Sequence, residues 1–164
     1  MARPRKKAVP PPAIAAEAVD VALTRPFDSF GMIAGAMDRF GPEAVALAVI
    51  EKLAHMGVDS PEEAGLTILL AQTGAPGQAR AALDLYLQHA FATNKHLGMS
   101  LLFPVACAGV ELDPAWVAPM DADERRHMAH IVGDLAVKLE PLLLFHGGQR
   151  LTPIAETVRV LRGE

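Results

Sequence analysis

Cysteine is almost missing from this sequence: Cys107 stands alone among 164 residues. One thiol cannot close an internal disulfide, so the chain has to be held together by its core. Cys107 lies in Phe103-Pro104-Val105-Ala106-Cys107-Ala108, where a thiol behaves as a small hydrophobe rather than a nucleophile. There is no Cys pair and no His-Glu-x-x-His, so no zinc framework is written into the chain. There is no Gly-x-Ser-x-Gly turn either. Gly74-Ala75-Pro76-Gly77 lacks the Lys and Ser/Thr that a phosphate-cradling loop needs. The expectation is a protein that is not an enzyme.

Long apolar runs are missing too. The best candidate, Leu97 to Val110, is uncharged but shorter than the ~20 residues of a membrane-spanning helix, and Pro104 interrupts it. The N-terminus opens with cations, but Pro10, Pro11, Pro12, Glu17 and Asp20 occupy the place where a secretory signal has its apolar stretch. No membrane and a cytoplasmic location are therefore expected. Alternating strand pattern is absent as well, with Val158 to Leu161 the one ambiguous stretch.

Helical punctuation is abundant. Residues 12–24 are rich in Ala, and Pro26 stops them. Asp28 or Ser29 can cap a helix carrying Phe30, Ile33, Met37 and Phe40 at offsets 0, 3, 7 and 10. Gly41-Pro42 is a stop followed by a start. From Pro42 to Met56 the next helix is apolar nearly all round, which suits a central position or a subunit interface. Asp59-Ser60-Pro61-Glu62-Glu63 restarts the chain with a cap, a first-turn proline and acids over the positive helix end. Leu83, Tyr86, Leu87, Ala90 and Phe91 mark an amphipathic helix ending near Asn94. Leu97 to Ala108 reads as a buried helix bent or divided at Pro104. Asp121 or Asp123 caps the longest helix, with the stripe Met128, Ile131, Leu135, Leu139 and Leu142. Gly147-Gly148 ends it, and Thr152-Pro153 begins a last short one. The fold class is all-α, an irregular bundle of about seven or eight helices. It is expected to form a single helical domain over residues 12–164, behind a disordered basic, proline-rich arm over residues 1–11.

Charge is divided between the two. Four of the 15 basic residues, Arg3, Arg5, Lys6 and Lys7, lie in the first seven positions. From residue 8 onward, 11 basic side chains face 19 acidic ones, a balance of −8. An acidic body repels phosphate backbones, so nucleic-acid contact falls to the arm or to a local patch; the arm's four cations can neutralise about four phosphates. A helix-turn-helix across Gly57 fails chemically. Its second helix would present Glu62 and Glu63, with no Arg, Lys or Asn to read a base edge. The opening Met1-Ala2-Arg3-Pro4-Arg5-Lys6-Lys7 resembles the start of phage small-terminase and other DNA-handling proteins, over those seven residues only. The resemblance implies a DNA-packaging role with the arm as the contact.

For metal chemistry the candidates are Glu124, His127 and His130, three residues apart on one helix face, as in carboxylate-rich bundle sites. Glu51, His55 and Glu140 are the side chains that could join them. The competing explanation is electrostatic: acids belong in a first helical turn for the dipole alone. Finally, the hydrophobic fraction of 51% and the seven Met exceed what one small monomer readily hides. The sequence thus points to an oligomeric accessory or adaptor protein with a basic arm. A helical metalloprotein holding a transition metal and a pure regulatory or chaperone module are the alternatives.

Overall fold

A computed structural model describes residues 13–25, 28–56, 60–145 and 151–164, with the side chains of 61, 135–136, 139–145 and 151–153 left aside. The arm, with Arg3, Arg5, Lys6 and Lys7, lies outside the described residues, as do Gly147 and Gly148. Among the described residues there are eight α-helices, one 3-10 turn and no strand. The helices are α1 (Ala15–Leu23), α2 (Ser29–Phe40), α3 (Pro42–His55), α4 (Pro61–Gln72), α5 (Gln78–Thr93), α6 (Lys95–Cys107), α7 (Ala122–Phe145) and α8 (Leu151–Arg162). The turn spans Pro114–Val117. The ambiguous Val158 to Leu161 is helical, part of α8.

The breaks follow local chemistry. Gly41 closes α2 at φ 86°, and its N–H donates to the Met37 carbonyl at 2.8 Å. Pro42 then opens α3. Ser60 caps α4, its hydroxyl oxygen accepting from the Glu63 N–H at 3.2 Å. Asn94 serves two helices. Its N–H donates to the Ala90 carbonyl at the end of α5, and its side-chain oxygen accepts from the N–H groups of His96 and Leu97 at the start of α6.

Three details differ from the sequence expectation. α1 starts at Ala15 rather than residue 12, behind Ile14, which has no side-chain oxygen to offer as a cap. Asp28 occupies the cap position of α2 but makes no capping bond. Its backbone is near-helical (φ −103°, ψ −7°), not in the extended conformation that capping residues typically adopt. Pro104 does not divide α6, which runs unbroken to Cys107. The carbonyl that Pro104 leaves without a donor is four residues back at Ser100, an exposed position where water can satisfy it.

One contiguous core runs from Ala18 on α1 to Leu161 on α8. α3 packs against α1, α2, α4 and α5, and α4 against α1, α2, α3, α5 and α6, so these two are central. The all-round apolar character of α3 is explained by burying Val45, Val49 and Leu53 while leaving Leu47 52% exposed. α7 and α8 pack on each other, and α8 seals the bundle against α6 and the 3-10 turn. Trp116, in that turn, points inward and is 1% exposed. Its indole N–H donates to Asp84 Oδ1 at 3.1 Å, across 32 residues. Arg80 lies 4.7 Å from the indole ring centre, with its Nε 3.1 Å from the same Asp84 oxygen and its outer nitrogen 3.3 Å from the Glu111 carbonyl. This knot ties α5 to the connection between α6 and α7.

Candidate functional site

α6 and α7 touch sparingly, and the space between them is an open, largely apolar groove of about 750 Å³. Met99, Phe103, Pro104, Met128 and Ile131 make its floor. His96, Ser100, Asp123, Glu124 and His127 stand along its rim. Met and Phe supply adaptable, polarisable surface of the kind that accepts a partner's apolar side chains.

The rim explains what Glu124 does. Its Oε2 accepts from the Asp121 N–H at 2.8 Å, while Asp121 Oδ1 accepts from the N–H groups of Asp123 and Glu124, each at 2.9 Å. This is a reciprocal capping box that starts α7. Lys95, at the head of α6, places its Nζ 2.5 Å from the Glu124 carboxylate and pins the two helix starts together. The Lys95 ammonium, and then the Asp121 N–H, hold the Glu124 carboxyl below the usual carboxylate range. The Glu124 N–H, then that of Asp123 and the nearby Lys95 and Arg125, do the same for Asp121.

Of the residues singled out for metal, Glu124 is engaged in this cap and ion pair. His127 is exposed on the groove rim, and His130 is exposed one turn further along α7, off the groove. Glu51 and His55 are exposed on α3, with His55 Nδ1 2.6 Å from the Glu51 carbonyl oxygen. The side chain of Glu140 lies outside the described ones. Among the described residues, no three His, Cys, Asp or Glu side chains come together as a metal-holding group.

A second concavity escaped the sequence. Ser60, Glu63, Ala64 and Thr67 of α4 and its cap face Tyr86, His89 and Thr93 of α5 across a cavity of about 250 Å³, which Leu97 and Leu101 of α6 also line. An adjoining hollow of about 350 Å³ reaches Leu53 and Met56 and shares Glu63, Tyr86 and His89 with the first. Burial, and then the negative charge of Glu63, push the Tyr86 phenol above its ordinary value. The signal in the sequence was the spacing of Tyr86, His89 and Thr93, three then four residues apart along an amphipathic helix.

Comparison with protein families, with curated proteins and with solved structures finds no match for this chain. Among the described residues, no helix is long and apolar enough to cross a membrane.

Proposed function

We propose that this protein is a non-enzymatic helical adaptor that assembles through apolar helix surface and meets polyanion, DNA first, through Arg3, Arg5, Lys6 and Lys7. The observation that carries the reading is the α6–α7 groove, whose lining by Met99, Phe103, Met128 and Ile131 offers apolar surface of the kind a partner's helix buries. Leu47, Leu85 and Val137 add exposed aliphatic surface elsewhere.

Light scattering at low and high salt, with and without short duplex DNA, tests both halves. The intact chain is expected to form a defined oligomer that gains mass with DNA at low salt only. Deleting residues 1–11 should abolish the DNA-dependent gain and leave the oligomer. Phe103→Glu together with Ile131→Lys should reduce the oligomer to monomer with helical content unchanged. A monomer indifferent to DNA would overturn the reading. An oligomer without DNA affinity would leave a purely protein-binding module.

A further inference from the structure

One face of α7 carries charges in an order that complements itself when reversed. Asp123, His127 and Ile131 line the groove, and Asp134 and Lys138 follow them along the helix, giving offsets of 0, 4, 8, 11 and 15. At 3.6 residues per turn these five fall within about 80° of one another. Ile131 is half-buried and the other four are exposed. Asp123 and Lys138 are equally far from the midpoint between His130 and Ile131, and so are His127 and Asp134.

A second α7 laid antiparallel about that midpoint therefore sets Asp123 against Lys138 twice and His127 against Asp134 twice, with the two Ile131 side chains at the centre. A parallel copy would set Asp123, Asp134 and Lys138 each against itself, and like charges in register repel. Within one helix, Lys138 reaches Asp134 at 3.4 Å and Arg126 reaches Asp123. Exposed pairs of this kind are weak, and a carboxylate has two oxygens, so each acid can accept a further donor from across the contact. The groove supplies the apolar part. A second α7 lying over it brings its own Ile131 onto Met99, Phe103 and Met128, and the two-fold places the first α7 over the second groove in the same way.

We propose that the α6–α7 groove is filled by a second copy of this chain, docked α7 to α7 in antiparallel register, with Asp123 against Lys138 and His127 against Asp134. This dimer rests on the reading of the groove as an assembly surface, to which it adds the partner, the symmetry and the register.

Carbodiimide coupling of the intact chain tests the register, because it joins an amine to a carboxylate only where the two touch. Along one α7, Asp123 and Lys138 are about 22 Å apart at 1.5 Å per residue, so an amide between them can form only across two chains. Mass spectrometry of the coupled dimer is expected to show that Lys138–Asp123 amide. Sedimentation equilibrium then follows three variants whose helical content is checked by circular dichroism. Asp123→Lys and Lys138→Glu should each weaken the dimer by about tenfold, since each turns two attractive pairs repulsive. The two changes in one chain should restore it. A chain monomeric at every concentration would overturn both this dimer and the assembly reading. A stable oligomer without the Lys138–Asp123 amide, indifferent to both single changes, would overturn the register alone. An oligomer strengthened by Asp123→Lys and weakened by Lys138→Glu would also overturn it, because net charge rather than a facing pair would then govern association.

Discussion

Gly98, near the start of α6, backs onto the ring of Phe91, near the end of α5, so closely that a Cβ at position 98 would lie 2.4 Å from the ring Cγ. The two helices can fold back through the single residue Asn94 only because position 98 has no side chain. Glycine within a helix costs about 1 kcal/mol against alanine. Here the close approach it permits, onto a Phe91 that is 5% exposed, offsets that cost.

Gly98→Ala is therefore expected to destabilise the protein by about 1–3 kcal/mol in urea denaturation, despite alanine's better helix propensity. Adding Phe91→Leu should restore part of the loss by making room. A stabilised Gly98→Ala would mean that the α5–α6 turn opens freely.

Asp84→Ala removes the acceptor of a buried indole N–H and the partner of Arg80 at once. A loss of about 1–3 kcal/mol is expected, the cost of leaving a buried donor unsatisfied. Trp116→Phe in the same background should add less than it does alone, since the two residues share one interaction.

The α7 cap sets an acid limit. Lys95 and the neighbouring N–H groups lower Glu124 and Asp121 below their ordinary values. Depressed carboxyls stabilise the fold above their unfolded pKa, about 4, and that contribution is lost as pH falls through the lower folded values. Amide exchange in the first turn of α7 should therefore accelerate below about pH 4, before global unfolding, and Lys95→Met should move its onset to higher pH. An onset unmoved by Lys95→Met would detach the cap from that ion pair.

Leu85 and Leu87 sit two residues apart on α5, one 63% exposed and the other fully buried. Leu87→Ala should cost about 2–5 kcal/mol and Leu85→Ala no more than about 0.5 kcal/mol by thermal denaturation. Similar losses at both positions would place Leu85 inside an interface.

Thr157 on α8 is fully buried, and among the described residues its hydroxyl has no hydrogen-bond partner. Thr157→Val keeps the shape and removes the polar atom, so stability should rise by about 1 kcal/mol. A destabilised variant would require a partner for that hydroxyl.

The helix breaks were legible because each is written locally. Gly41-Pro42, Ser60-Pro61 and Asp121-x-x-Glu124 carry their chemistry within four residues. The site surfaces were not legible, because they come from elements that meet through the fold. The sequence marks Glu124 as a cap or a ligand, and only Lys95, 29 positions earlier in the numbering, shows what occupies its carboxylate. Glu63 and Tyr86 fall on separate helices, each of which reads as an ordinary core helix. The partner of Trp116 lies a whole helix away, so its inward orientation had no local sign.

The chain's only tryptophan is thus also its own lamp. Trp116 is sealed from water and hydrogen-bonded where α5 meets the link between α6 and α7. Its emission reads the integrity of that joint without any added dye. The only tyrosine, Tyr86, lines the cavity between α4 and α5 instead, so the two chromophores report on different parts of one small molecule. Loosening of the joint would expose the indole to water and turn its emission red.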